Sequence, residues 1–245
     1  MKKKKILGLS VLVLLIGCLF SGTMNATPLC LSVSGSASAA NGSEVYRATI
    51  ASRATSGRAF RVYLSPSCQT WNPYCDGSGS EELHMRKIAA AMQPYLAQYG
   101  IESVLAAPQA GTYKNQKATI TARAKQASDT NCDLYLSIHS NARDNGPKTN
   151  GTLILYPSAS SASQRFAFIL QSNYLYPDKN AIDFHPKDEL WEMYMPKMPR
   201  CLIETAYHDN IQDVNWIKDN TESIAKNLAY CVALYANVPN ATLSA

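Results

Sequence analysis

The feature that most constrains the fold is the alternation of short apolar runs with longer segments of helical periodicity, which begins after residue 58. Several of the apolar runs end in a cluster of polar residues, and a helical segment follows. Strands that alternate with helices in this way favour a mostly parallel sheet with helices on both faces. The sequence therefore predicts an α/β fold, with a single three-layer domain in which a mostly parallel sheet is flanked by helices.

The best-defined element is a helix from Glu81 to about Gln98, because Ser80 is a good N-cap and Gly100 follows the helical pattern. The other elements are predicted from the same periodicities. In chain order they are strands at 62–64, 101–105, 134–138, 151–156 and 201–203, and helices at 116–128, 160–175, 213–218 and 222–235.

The N-terminal segment is typical of an export signal. Lys2–Lys5 precede an apolar run from Ile6 to Phe20, which is shorter than the about 20 residues of a membrane span. Residues 1–26 are therefore predicted to be a signal peptide, or a lipoprotein signal that ends before a lipidated Cys18. An uncleaved N-terminal membrane anchor is the third alternative, and each places the mature protein outside the cytoplasm.

The rest of the chain divides by composition. Residues 27–58 are rich in Ser, Ala and Gly and are predicted to be a linker. Residues 59–238 carry the strands and helices and form the predicted catalytic domain, and residues 239–245 are a short tail.

The formal net charge of +5 comes mostly from Lys2–Lys5. Without this run, 19 basic residues stand against 18 acidic ones. A nearly neutral mature protein has no charge excess for binding a polyanion, so nucleic acid is not a predicted partner.

Polar residues follow three of the predicted strands, in the segments 65–72, 139–141 and 204–210, and Glu81 and Glu82 open the first long helix. In α/β sheets the active site forms at the carboxyl ends of the strands, so these segments are expected to meet there. His and carboxylate side chains are the ligands of catalytic zinc sites, which use three protein ligands and an open position for water. A further carboxylate nearby can take the proton of that water.

Each of these residues also has an ordinary structural interpretation. His139 can be a hydrogen-bonded histidine at a strand end, and Glu81 suits the positive end of the helix dipole. His208 can cap the following loop, and His185 beside Pro186 is predicted to lie in a loop. Glu204 is harder to explain in this way, because a carboxylate directly after a buried strand is costly without a partner.

Two segments, 136–142 and 202–210, resemble the type-3 family of N-acetylmuramoyl-L-alanine amidases. The first matches the family's S-x-H-x-N segment at His139, and the second is similar to its E-x-G-F-x-x-N segment at Glu204. Glu81 matches the family's helix-opening glutamate, and Arg123 to Ala127 matches its R-x-x-x-A helix. The resemblance spans about residues 60–237.

The resemblance implies hydrolysis of the amide between N-acetylmuramic acid and L-Ala of the peptidoglycan stem peptide. It implies a Zn²⁺ cofactor bound by Glu81 and His139, with Glu204 as the general base and then the general acid. It also implies a place in the cell wall or on the outer side of the membrane. Two rival functions share the same residues: another zinc-dependent peptidoglycan carboxypeptidase or endopeptidase, and a metal-free cell-wall-binding pseudoenzyme.

The chain departs from the family at its first zinc ligand. The family has a histidine in a D-P-G-H-G turn, where this chain reads Ser65-Pro66-Ser67-Cys68-Gln69. A thiolate is a competent zinc ligand, so Cys68 is one candidate for the third ligand. In a divergent branch with S-P-S-x-Q, His208 can complete the site instead. The third alternative is a disulfide between Cys68 and Cys75, with no catalytic metal retained.

Overall fold

The structure is a computed structural model that describes residues 57–108, 115–143 and 149–243. The predicted export signal lies outside the described residues, and so does the predicted linker apart from its last two residues. Within the described ranges, no helix is both long enough and apolar enough to cross a membrane.

A six-stranded sheet forms the centre of the domain, with the strand order β2-β1-β3-β6-β4-β5. Every neighbouring pair is parallel except β4 and β6, which run antiparallel. The mostly parallel sheet predicted from the sequence is thus confirmed. The strands are β1 (Arg61–Pro66), β2 (Glu102–Leu105), β3 (Leu134–Asn141), β4 (Thr152–Tyr156), β5 (Ile182–Pro186) and β6 (Arg200–Tyr207).

Helices cover both faces of the sheet, as predicted. The first of them runs from Glu81 to Gln98, and the Ser80 hydroxyl caps it by accepting the amide of Leu83 at 3.3 Å. The helices are α1 (Glu81–Gln98), α2 (Gln116–Asp129), α3 (Ser161–Asn173), α4 (Trp191–Tyr194), α5 (Ile211–Asp219) and α6 (Thr221–Tyr235).

The apolar residues of each strand alternate between two cores, because successive side chains of a strand point to opposite faces. The larger core lies between the sheet and helices α1, α3 and α6, and contains Leu136 and Ile203. On the other face, Tyr135 packs with Ala127 of α2, and Leu202 packs with Met193 of α4. Since residues two apart share a face, His139 and Glu204 belong to the face that carries α2 and α4.

Three short elements were not predicted, and all lie between α3 and β6: the 3-10 helix Lys179–Ala181, strand β5 and helix α4. Strand β5 is an edge strand with Pro186 at its end, a position where proline removes no ladder hydrogen bond. Helix α4 has four residues, too few for a helical periodicity to show. His185 therefore lies on β5 and not in a loop, so that prediction was wrong.

The described part of the C-terminal tail packs on the domain. Ala241 is partly buried against the larger core. The Tyr99 hydroxyl donates to the carbonyl oxygen of Thr242 at 2.7 Å. This part of the tail therefore continues the α1 and α6 layer after the last helix ends.

Candidate active site

His139 and Glu204 lie side by side on adjacent strands. They are register partners in the parallel pair formed by β3 and β6. The register shifts between His139 and Asn141, and the Thr205 hydroxyl donates to the carbonyl oxygen of His139 at 2.9 Å. The two side chains therefore project from the same end of the sheet, as the strand-end rule predicts.

Glu81 reaches the same point from the first turn of α1. Its side chain is 1% exposed, and Oε1 lies 2.8 Å from Nδ1 of His139. The backbone amide of Ser140 donates to Oε1 at 3.3 Å, and Nδ2 of Asn72 donates to Oε2 at 2.9 Å. The carboxylate that the sequence places at a helix N-terminus is thus an internal residue of the site, and not a solvated helix charge.

These three side chains can hold a metal ion. One ligand atom each of Glu81, His139 and Glu204 lies within 4.8 Å of the other two. Two carboxylates and one imidazole are ligand types that zinc accepts. Oε2 of Glu204 is buried and has no hydrogen-bond partner among the described residues. An unpartnered carboxylate oxygen is costly to bury, and a cation or a water molecule bound to that cation would satisfy it.

The protonation equilibria reflect a surplus of negative charge. Burial, together with the negative charges of Glu81 and Glu192, raises the pKa of Glu204 to about 8. The charge of His139 opposes this rise only in part. Burial lowers the pKa of His139, but the adjacent carboxylates of Glu192 and Glu81 outweigh it and hold that pKa well above the usual range. The pKa of Glu81 is lowered, since its contacts with His139 and Asn72 outweigh its burial.

Glu192, on α4, is a site residue that the sequence analysis missed. It is 6% exposed, and its Oε1 lies 3.5 Å from Nε2 of His139. The sequence around it, Leu190-Trp191-Glu192-Met193-Tyr194, follows no predicted strand. No local signal marks it, because only the packing of α4 on the sheet brings it to the site.

Gln69 also contacts the site and was not singled out from the sequence. Its Nε2 lies 3.4 Å from Nδ1 of His139, and its Oε1 accepts a hydrogen bond from Asn72 at 2.9 Å. The same Asn72 side chain holds Glu81. The S-P-S-x-Q-x-x-N pattern was the available signal, since its Gln and Asn both face the predicted ligands.

Cys68 is buried close to the site and carries a free thiol. Burial raises the pKa of this thiol, and the nearby positive charges of Arg123 and His139 oppose the rise incompletely. Cys68 does not belong to the group of donor atoms that lie within 4.8 Å of one another. Cys75 is exposed and also free, so the structure contains no Cys68–Cys75 disulfide.

His208 lies beside the site in a different hydrogen-bond network. Its Nδ1 lies 2.7 Å from the carbonyl oxygen of Ser140, which can only accept, so Nδ1 is the donor of this hydrogen bond. Its ring stacks on Tyr74 at 5.6 Å, and His84 stacks on Tyr74 at 4.1 Å. Neither histidine belongs to the group formed by Glu81, His139 and Glu204.

Arg123 supports the turn that carries Cys68. It is 4% exposed and donates to the hydroxyl of Ser65 at 3.1 Å and to the carbonyl oxygen of Pro66. Ala127, one turn later, is buried in the smaller core. The R-x-x-x-A segment of α2 therefore connects the turn after β1 to the face of the sheet that bears the site.

A comparison with the profiles of protein families identifies one family. The profile of Amidase_3, described as N-acetylmuramoyl-L-alanine amidase, matches residues 74–234. No curated protein sequence matches the chain significantly.

Several solved structures share the fold at low sequence identity. An N-acetylmuramoyl-L-alanine amidase from Clostridium difficile 630 is 20% identical, with a TM-score of 0.63 over 73% of this chain and 97% of that one. The amidase AmiC2 of Nostoc punctiforme is 20% identical, with a TM-score of 0.61 over 73% of this chain and 97% of that one. The catalytic domain of the amidase CwlV from Bacillus (Paenibacillus) polymyxa var. colistinus is 19% identical, with a TM-score of 0.60 over 74% of this chain and 99% of that one.

Proposed function

The chain belongs to the Amidase_3 family of N-acetylmuramoyl-L-alanine amidases, and from this premise we propose that it works with a zinc ion held by Glu81 and His139 and with Glu204 as its proton-transfer residue. The reaction is hydrolysis of the amide between N-acetylmuramic acid and L-Ala of the peptidoglycan stem peptide. What the proposal adds to family membership is the cofactor and the role of each residue.

One observation carries the proposal: three buried or half-buried donors from α1, β3 and β6 converge within 4.8 Å. The nearby Glu192 brings the number of carboxylates around the single imidazole to three. Buried charges of one sign are costly unless they are paired or bind a metal. A divalent cation bound among these groups would compensate their negative charges at once.

When bound, zinc lowers the pKa of a water molecule toward about 7 and polarises the scissile carbonyl. Glu204 accepts a proton from the attacking water at its unpartnered Oε2. The water oxygen bonds to the lactyl carbonyl carbon, the C–N bond of the amide then breaks, and Glu204 returns the proton to the nitrogen of L-Ala, which leaves as an amine. The products are the lactyl carboxylic acid of the glycan and a stem peptide with a free N-terminus.

Burial supports this role for Glu204. Burial raises the pKa of this carboxyl group to about 8 in the metal-free protein, and a bound dication would lower that pKa, so that Glu204 can both accept and return a proton near neutral pH. The Glu81 carboxylate, fixed by Asn72 and the Ser140 amide, is suited to hold the ion because it needs no rearrangement.

The test of the reaction is muropeptide analysis. Purified peptidoglycan digested with the protein should release whole stem peptides that begin with a free L-Ala and leave glycan strands without peptides. A chelator should abolish this release, and added zinc should restore it. Release of single amino acids or of internal peptide fragments would instead indicate a carboxypeptidase or an endopeptidase. A metal-free protein that binds peptidoglycan and releases nothing would indicate a wall-binding protein.

The third protein ligand is proposed to be Cys68 or His208, and one pair of variants separates them. If the thiolate is a ligand, Cys68→Ser should lose most of the zinc affinity, measured by competition with a chromophoric chelator, and His208→Ala should keep it. The opposite pattern assigns the ligand to His208. Unchanged affinity in both variants would contradict both assignments and leave the ion to Glu81, His139 and Glu204.

Export is a further part of the proposal. It is supported by the basic residues Lys2–Lys5, by the apolar run that follows them, and by the location of peptidoglycan outside the cytoplasmic membrane. Mass spectrometry of the mature protein should show an N-terminus near residue 27, or a lipid-sized mass increment on Cys18. A full-length cytoplasmic product would contradict export.

A further inference from the structure

Glu192 is a buried carboxylate for which the catalytic residues proposed above leave no role. It lies on the short helix α4, in the connection from β5 to β6, and it is 6% exposed. A glutamate in a surface connection is normally solvated, since burial of its charge is costly. Its position against His139 therefore needs an explanation.

The two ring nitrogens of His139 face different carboxylates. Nδ1 lies 2.8 Å from Glu81 and 3.4 Å from Nε2 of Gln69, on the side of the predicted ligands. Nε2 lies 3.5 Å from Oε1 of Glu192, on the side of α4. A histidine that binds a metal through one nitrogen carries a proton on the other, and that N–H is usually donated to a carboxylate or a carbonyl oxygen.

We propose that Glu192 is a positioning residue of the metal site, which accepts the Nε2–H of His139 and leaves the Nδ1 lone pair for the ion, on the side of Glu81. This inference rests on the proposed function, because it assigns Glu192 a role only if His139 binds zinc. Glu192 acts through the histidine and does not itself touch the ion or the substrate.

The packing of α4 keeps the Glu192 carboxylate in place. Met193, the next residue, is 1% exposed and is buried with Leu155 and Leu202 on the sheet. The guanidinium of Arg200, at the start of β6, donates to the carbonyl oxygen of Met193. The segment that carries Glu192 is thus attached to β6, the strand that carries Glu204.

The experiment compares zinc affinity in the wild type, Glu192→Ala, Glu192→Gln and Glu189→Ala. Glu189 lies on the same segment with a side chain that is 75% exposed, which makes it the matched control. Zinc affinity is measured with purified protein by competition with a chromophoric chelator. Glu192→Ala should bind zinc about 10- to 100-fold more weakly, as for other partners of metal-bound histidines. Glu192→Gln keeps an oxygen acceptor and should recover part of this loss, and Glu189→Ala should match the wild type.

Cobalt in place of zinc gives a second readout that a purely structural role would not change. The visible absorption of the Co²⁺ protein should shift in Glu192→Ala and return toward the wild-type spectrum in Glu192→Gln. Thermal unfolding of the metal-free variants shows whether each one is folded, and the isosteric Gln variant keeps the test valid if the Ala variant is not.

Each alternative result has a distinct meaning. Wild-type zinc affinity in Glu192→Ala would overturn the positioning role, and so would an equal loss in the Ala and Gln variants. Higher amidase activity in Glu192→Ala with unchanged zinc affinity would also overturn it, since Glu192 would then obstruct the site. A wild-type protein that binds no zinc would overturn the proposed function itself. This result is measured on the wild type, so it is distinct from the results for the Glu192 variants.

Discussion

Replacement of Glu204 by Gln is expected to lower the turnover number by about 10²- to 10⁴-fold, the usual contribution of a positioned general acid–base residue. Gln has nearly the same shape but can neither accept the proton of the attacking water nor return it to the leaving amine. Release of stem peptides from purified peptidoglycan is the measurement. Zinc content should stay at the wild-type value, because Glu81 and His139 remain.

The control for this loss is Glu189→Gln, which removes an exposed carboxylate from the connection before β6 and should keep wild-type activity. If Glu204→Gln loses zinc together with activity, Glu204 is a ligand and not the proton-transfer residue. The distances allow this outcome, because a Glu204 oxygen lies within 4.8 Å of the other donors.

Thermal unfolding shows whether the Glu204→Gln protein is folded. The direction of the expected change in melting temperature follows from the pKa values of Glu204 in the folded and unfolded states. Burial raises the pKa of Glu204 in the folded protein from 4.5 to about 8. The folded state therefore holds the proton more tightly than the unfolded state, and the associated stability is present below about pH 4.5 and lost as the pH rises toward 8. In metal-free protein, Glu204→Gln should raise the melting temperature by a few degrees at pH 8 and by much less at pH 4.5.

The second large effect is expected for His139→Ala, which should lose zinc and reduce amidase activity to background. His139 is the single nitrogen donor in the group with Glu81 and Glu204, and its imidazole separates carboxylates that otherwise repel one another. Its loss should weaken zinc binding by more than the 10- to 100-fold expected for a partner outside the first coordination sphere. Chelator competition and peptide release measure the two effects.

The matched control is His185→Ala. His185 lies on the edge strand β5, and its side chain is 47% exposed, so its replacement should leave zinc affinity and activity unchanged. Normal zinc affinity in His139→Ala would contradict the proposed ligand set, whatever the activity of that variant.

Much of the fold was predictable because its elements depend on local rules. The Ser80 cap and the spacing of apolar residues predicted α1 at its observed bounds. The apolar runs before His139 and Glu204 predicted two strands, and the strand-end rule then predicted that their polar residues meet. The elements missed lie between α3 and β6. Helix α4 has four residues, too few to show a helical period, and β5 is an edge strand that depends on its pairing with β4.

The amino-acid sequence by itself determined the α/β class, the family resemblance and the residues Glu81, His139 and Glu204, because each of these depends on residue type and local spacing. Only the tertiary structure decided the register that pairs His139 with Glu204 and the approach of Glu192 and Gln69 to the imidazole. The physical reason is that side chains far apart in the chain meet only after the sheet and helices have packed. The electrostatic balance of the site, including the raised pKa of Glu204, follows from that packing.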